Sequence, residues 1–334
     1  MTNADHVPVQ GSSGARPIRL AILDDYQQVA RGLADWGSLP AGSEVSVFHD
    51  HLRDEALVAL RLAPFEGIVA MRERTPFPRS LLSRLPELRL LVTTGMRNAS
   101  IDLQAAAQCG ITVSGTDGLS YPTAELTWGL ILALARHIPE ELHALRQGNW
   151  QTTVGVGLSG KALGVLGLGR LGTQVARIGA AFGMQVLAWS PNLTEARASA
   201  AGATRVERDE LFRRADVLTL HLVLSERSAG LVGRRELGLM KKSALLINTS
   251  RGPLVDEAAL LDALRTHAIA GAGLDVFDIE PLPSGHPLLE LPNALLTPHL
   301  GYVTEESYRI FYEHALQDVQ AYLAGQPLRV LSPQ

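Results

Sequence analysis

The chain has 334 residues, 46% of them hydrophobic and 19% charged, with a formal charge of −4. That length exceeds what one hydrophobic core usually serves, so two domains are expected, each apolar enough to bury its own core. The weak acidity argues against a nucleic-acid partner, which needs a basic face, and no charge-free apolar run of about 18 residues suggests a membrane span.

Residues 1–17 are polar, include Gly11-Ser12-Ser13-Gly14 and lack an apolar signal core, so they read as a loose tail. From residue 18 onward, short β-branched runs at 18–23, 44–48, 67–71, 88–93 and 111–114 alternate with amphipathic stretches such as 78–85. This alternation predicts a parallel sheet with helices on both faces. The only cysteine, Cys109, can form no internal disulfide and fits a reducing, cytoplasmic compartment. Residues 122–136 are apolar almost all round, as a helix buried on several sides should be. Such a helix suits either an internal interface or a homodimer contact.

A second series of strands is expected at 162–166, 184–188, 217–220, 244–248, 270–274 and 294–297, making two doubly wound α/β units in tandem. Between its first strand and a helix at 173–182 lies Gly167-Leu168-Gly169-Arg170-Leu171-Gly172. In a dinucleotide fold the first glycine makes the tight turn, the second admits the pyrophosphate and the third allows close helix–strand packing. The amides of Arg170 and Leu171 would then face the anion. The carboxylate expected at the end of the next strand is replaced by Ser190, which leaves NADP open beside NAD. The final helix, 304–324, carries Tyr308, Phe311, Ala315, Val319 and Tyr322 on one stripe and stops at Gly325 with Pro327 beyond. Coming after the last strand, it is expected to return to the first domain and make that domain discontinuous.

Three later segments each end an apolar run with one useful side chain: Arg251 in Asn248-Thr249-Ser250-Arg251-Gly252, Glu280 after Asp275-Val276-Phe277-Asp278-Ile279, and His299 in Thr297-Pro298-His299-Leu300-Gly301. Strand carboxyl ends line the ligand crevice of an open parallel sheet. A cation, a carboxylate and an imidazole there suit hydride transfer. Any one of them alone reads more simply as a turn or surface residue; 10 histidines are present. Nothing in the sequence points to a metal site.

With their order and spacing, these blocks resemble the D-isomer-specific 2-hydroxyacid dehydrogenase family across about residues 65–312. The resemblance implies a Rossmann NAD-binding domain inserted into a flavodoxin-like substrate domain, at 18–118, 119–300 and 301–334 in chain order. It implies an NAD(P)-dependent oxidoreductase that interconverts a 2-keto acid and a D-2-hydroxy acid, like the glyoxylate/hydroxypyruvate reductases, expected as a cytoplasmic homodimer. His299 would be the general acid/base, Glu280 the carboxylate that orients it, and Arg251 the guanidinium that grips the substrate carboxylate. His221, Leu222 and Ser225 resemble the loop against the adenosine. Thr249, Asp275 and Thr127 resemble nicotinamide-side contacts, and His299 and Gly301 are assigned to the cofactor as well. Arg74, Gly95, Met96 and Arg97 fall in the substrate loops.

Arg97 stands where most members have a second glycine. It reads as a cation for a second anionic group, or as a residue that points outward, supports the loop or pairs with Glu73. Competing readings are a phosphoglycerate or phosphite dehydrogenase-like relative and a non-enzymatic, NAD-sensing corepressor-like protein. Formate dehydrogenases typically place Gln where Glu280 stands.

Overall fold

The eleven expected core strands read as apolar runs, as parallel strands covered on both faces do. In a computed structural model, which describes residues 16–333 and the backbone of Ala4–Val7, they form two separate sheets. The first holds β1 (Ala4–Val7), β2 (Arg19–Ile22), β3 (Glu44–Phe48), β4 (Gly67–Ala70), β5 (Leu90–Thr93) and β6 (Thr112–Gly115), in the order β1-β3-β2-β4-β5-β6. β2 to β6 are parallel, in the order of flavodoxin-like sheets. Leu20, Ile22, Ile68, Leu90 and Leu91 are buried, which requires cover on both faces.

The tail expectation is corrected in part. Ala4–Val7 pairs antiparallel with β3, from Ala4 opposite Phe48 to Val7 opposite Val45, and so covers that strand's otherwise open edge. The rest of the expected tail, up to residue 15, lies outside the described residues.

Capping side chains start the helices of this unit. The Asp54 carboxylate accepts from Ala56 and Leu57 ahead of Glu55–Leu62, and Asp102 accepts from Ala105 ahead of Leu103–Gln108. The helix expected at 78–85 is shorter, Arg79–Leu82. Pro86 disfavours helical geometry at the residue before it, so the chain leaves the helix early. Glu305–Leu323 is capped by Thr304 and buries Tyr308, Phe311, Tyr312, Ala315 and Val319 in this same unit.

The second sheet contains β7 (Ala162–Leu166), β8 (Gln185–Trp189), β9 (Thr204–Arg205), β10 (Val217–Leu220), β11 (Leu245–Asn248), β12 (Gly271–Leu274) and β13 (Ala294–Leu296). Its order is β13-β12-β11-β10-β7-β8-β9, every pair parallel. The order reverses beside β7, which places a ligand crevice at the carboxyl ends of β7 and β10. β9 is only two residues long, too short for any periodicity to announce it. Helix Tyr121–Ala135 buries Ala124, Thr127, Trp128, Leu130 and Ile131 against β11, β12 and helix Arg170–Ala181. That accounts for its many-sided apolar character.

The chain divides into Met1–Leu119 with Thr304–Gln334, and Ser120–Val303. The second unit is thus inserted into the first. Among the described residues no helix is long and apolar enough to cross a membrane.

Candidate active site

The glycine turn is built by steric necessity. Gly167 follows β7 with φ +107, and a Cβ there would lie 2.7 Å from the main chain of His221. A Cβ on Gly172 would run into the Gly167 carbonyl. Gly169 has open space where a Cβ would go and begins helix Arg170–Ala181. The turn is stitched to β8 by Gly167 N–H donating to the Trp189 carbonyl and Leu168 N–H donating to Ser190 Oγ, both at 2.8 Å. The first amides of the helix, among them those of Arg170 and Leu171, have no intrahelical acceptor and make a natural seat for an anion.

His221 leaves the end of β10 beside this turn, its N–H bonded to the Leu166 carbonyl. Nε2 lies 2.9 Å from Thr219 Oγ1, whereas Nδ1 is closed off from solvent with no hydrogen-bond partner among the described residues. Burial lowers the imidazole pKa to about 3, so the ring is neutral. A sealed, unsatisfied ring nitrogen next to a turn that tolerates no Cβ at Gly167 or Gly172 fits a bound dinucleotide supplying the missing contact. Leu222 takes the Ser250 hydroxyl on its carbonyl at 2.6 Å, and Ser225 is held by Ser228. The loops after β10 and β11 are therefore joined.

After β11, the Asn248 side chain shapes the loop that carries the arginine. Its Oδ1 accepts from Ser250 N–H and its Nδ2 donates to the Arg251 carbonyl. Gly252 lets this loop press against the main chain of Phe277 and Asp278, where any Cβ would collide. Arg251, half-buried, donates from Nη1 to the Ser250 carbonyl at 2.7 Å.

The histidine loop after β13 is held from below by Asp275, fully buried at the end of β12. Asp275 Oδ1 accepts from Thr297 Oγ1 at 2.6 Å and Leu300 N–H at 2.7 Å, and Oδ2 accepts from Gly301 N–H at 2.8 Å. Desolvation raises the Asp275 pKa, opposed by these hydrogen bonds. His299 is fixed at φ +53, a left-handed conformation that non-glycine residues adopt only when their surroundings enforce it. Its Nδ1 lies 2.6 Å from Glu280 Oε2, and Glu280 Oε1 accepts from Phe277 N–H at 2.9 Å. The carboxylate is therefore itself oriented, and the imidazole presents Nε2. The Tyr302 ring meets the imidazole edge-on, centroids 5.4 Å apart.

A line of threonines joins the two loops. Thr249 Oγ1 lies 2.8 Å from Thr127 Oγ1, Thr127 donates to the Thr123 carbonyl at 2.7 Å, and Thr123 donates to the Gly301 carbonyl at 2.8 Å. Sequence reasoning missed Thr123, Asn248 and Tyr302. The spacing of Thr123 and Thr127, one turn apart on an otherwise apolar helix, was the one available signal.

Arg251, Glu280 and His299 thus come from loops after the neighbouring parallel strands β11, β12 and β13, at the same edge as the glycine turn. Arg74, Gly95, Met96 and Arg97 belong to the other unit, after β4 and β5. Arg74 donates to the Asp24 carbonyl at 2.6 Å and to the Tyr308 hydroxyl at 3.2 Å, and stacks 4.4 Å above the Tyr26 ring. Gly95, at φ +91, gives its N–H to Thr116 Oγ1 and packs against the Arg72 guanidinium. Met96 and Arg97 are exposed on a loop braced by Asn98. Glu73 lies by Arg72, at 3.7 Å, and not by Arg97.

Among the described residues no cluster of three or more His, Cys, Asp or Glu is placed to hold a metal ion. Residues 128–301 match the profile of the D-isomer specific 2-hydroxyacid dehydrogenase NAD binding domain. A glyoxylate reductase of Aeropyrum pernix is 41% identical over 74% of this chain and 76% of its own length. A D-3-phosphoglycerate dehydrogenase of Methanocaldococcus jannaschii is 37% identical over 85% of this chain, which spans only 54% of that protein. The crystal structure of a phosphoglycerate oxidoreductase from Vibrio cholerae superposes with a TM-score of 0.87 at 39% identity, covering 92% of this chain and 99% of that one.

Proposed function

Because the chain belongs to the family of D-isomer specific 2-hydroxyacid dehydrogenases, we propose that it is the reductase of a small 2-keto acid such as glyoxylate or hydroxypyruvate, yielding the D-2-hydroxy acid. It is an NAD-dependent oxidoreductase acting on CH–OH donors. NADH, when bound, supplies the hydride that forms the new C–H bond. Ser120–Val303 is the cofactor-binding unit in this reading, with the glycine turn and His221 facing the dinucleotide. Arg251 holds the substrate carboxylate and polarises the keto group, as its planar fork suits. The electron pair of the reduced carbonyl moves onto oxygen, which takes a proton from His299 Nε2. Glu280 accepts at Nδ1, fixes the ring orientation and faces the positive charge carried by the imidazolium before transfer. The observation that carries this reading is the 2.6 Å Glu280–His299 contact on a loop clamped at the cofactor edge of the sheet. Arg74, Gly95, Met96 and Arg97 are proposed as substrate-side contacts by resemblance.

Purified protein should oxidise NADH with glyoxylate or hydroxypyruvate across a panel of 2-keto acids, and the reverse reaction should consume D- and not L-isomers. No oxidation with any panel member would sink the reading.

A homodimer is part of the same proposal. Ile138, Leu142 and Leu145 form an exposed stripe on helix Ile138–Arg146, continued by Trp150, Val154 and Val156. Trp150 is 76% exposed, which is unusual for an unpartnered tryptophan. The helix is acidic in its first turn and basic in its last, so a two-fold mate running antiparallel would set Glu140 against Arg146. Sedimentation should give a dimer that Leu142→Glu with Leu145→Glu dissociates; a monomeric wild type would overturn this. A cytoplasmic location is proposed too, supported by the exposed thiol of Cys109, and cell fractionation tests it.

A further inference from the structure

We infer that His286 is a positioning residue for the reduction: its bond to Glu257 ties the loop that carries Glu280 to the segment that carries Arg251, and so keeps the orienting carboxylate in place for His299. The inference deepens the reductase reading and rests on it.

Glu280 stands in a stretch with little packing of its own. Ile279, Glu280 and Pro281 are exposed, Ile279 by 62%. Such a stretch is ordered from its ends, because each pinned end removes conformers that the chain would otherwise sample. At one end the Phe277 N–H donates to Glu280 Oε1 at 2.9 Å. At the other, the His286 side chain caps the turn Pro287–Glu290, accepting the Leu288 N–H on Nδ1 at 3.3 Å. Nδ1 therefore carries no proton and Nε2 carries one, which it gives to Glu257 Oε1 at 3.1 Å. The two side chains are only 15% and 27% exposed, so water competes weakly for this bond.

Glu257 opens helix Glu257–Arg265 six residues beyond Arg251, and His286 lies six residues beyond Glu280. The same two loops meet once more at Gly252, pressed against the main chain of Phe277 and Asp278. A small cavity lies along this seam, lined by Asn248, Gly252, Glu257, Phe277, Asp278 and Leu288 among others. Where space is left unfilled, close packing does not set the separation of the loops, and the polar tie must. It also works against repulsion, since the Asp278 carboxyl is pushed up by partial burial and then by Glu257 and Asp256. Arg251 has a separate brace, its carbonyl accepting from Asn248 Nδ2 at 2.9 Å. Cutting the tie therefore frees the Glu280 loop more than the arginine.

The test separates the tie from the cap in the whole protein, by steady-state reduction of glyoxylate or hydroxypyruvate with NADH and by ADP-ribose titration. His286→Asn keeps an acceptor for the Leu288 N–H but is too short to reach Glu257. It should lower kcat by about tenfold with KM within about threefold, as a small displacement of a positioning group does. Glu257→Ala should do the same, and the double variant should fall no further than about tenfold, where independent effects would multiply to about 100-fold. His286→Gln reaches Glu257 but gives up the cap, and Glu257→Gln still accepts the Nε2 proton, so each should hold kcat within about threefold of wild type. ADP-ribose affinity should be unchanged throughout. Wild-type kcat in His286→Asn would overturn the proposal. Equal losses in His286→Asn and His286→Gln would overturn it too, because the cap would then be the working contact, as would multiplying effects in the double variant. Should His286→Asn not fold, the two Glu257 variants decide by themselves. A wild type that binds ADP-ribose but reduces no keto acid would remove the reductase reading, and this inference with it.

Discussion

Asp275→Asn is the sharpest test of how the histidine loop is held. The wild-type carboxylate accepts three short bonds, from Thr297 Oγ1, Leu300 N–H and Gly301 N–H. Asparagine keeps one acceptor oxygen and turns an NH2 group toward a donor that was previously satisfied. One charge-assisted bond, worth about 1.5–3 kcal/mol, is lost, and a buried N–H is left without a partner, so about 2–4 kcal/mol of stability should go. For a unit of this size, about 2–4 °C of melting temperature accompanies each kcal/mol, giving a fall of about 5–15 °C. The loop carries His299 in a left-handed conformation that it would not adopt unaided. Relaxation of about 1 Å at the proton donor can cost about 100-fold, so kcat should drop by about 10- to 100-fold. ADP-ribose affinity should persist, since none of these bonds touches the glycine turn. Thermal melts, turnover and ADP-ribose titration on one preparation check all three. A variant melting within about 2 °C of wild type with kcat within about twofold would refute the clamp.

His299→Ala should lower turnover by about two orders of magnitude or more, and Glu280→Gln by less, with KM changing little in either; near-normal turnover of the first would remove the imidazole from the chemistry. Gly172→Ala drives a methyl into the Gly167 carbonyl, so ADP-ribose binding should fall below detection while the far-UV spectrum stays native. Retained binding would mean that the turn is not the dinucleotide cradle. Burial pushes the Asp318 carboxyl up to about 6 despite Arg329 at 2.9 Å, and Asp318 Oδ2 has no hydrogen-bond partner among the described residues. The native state then keeps a proton that the unfolded chain releases near 3.8, so this group erodes stability as pH rises from about 4 to 6. Urea midpoints of Asp318→Asn should gain on wild type across that window, and a gain in the opposite direction would contradict the assignment.

The two-sheet architecture and its insertion were legible because parallel strands buried on both faces read as apolar runs, and because the last helix carries a stripe that must be buried. The glycine turn was legible for steric reasons: only glycine fits at 167 and 172. Thr123 was not legible, since its value lies in a bond to Gly301 across 178 positions, and Asn248 was passed over because its bonds to Ser250 and Arg251, two and three residues on, look like those of any turn asparagine. Ala4–Val7 was misread as tail because four residues cannot show a period, and the edge that recruits them appears only once β3 is in place. The helix Ile138–Arg146 was overlooked for the opposite reason: its apolar stripe faces away from the core.

The threonine line between the arginine loop and the histidine loop has a mechanical consequence. Thr127 has a single proton and gives it to Thr123, so Thr249 must give its own to Thr127, and the polarity of the whole row is determined. Removing any hydroxyl would break the row at one point and free both ends together. The two loops behave as one splinted piece, and damage to either should be felt at the other without any side chain in the reacting set having been touched.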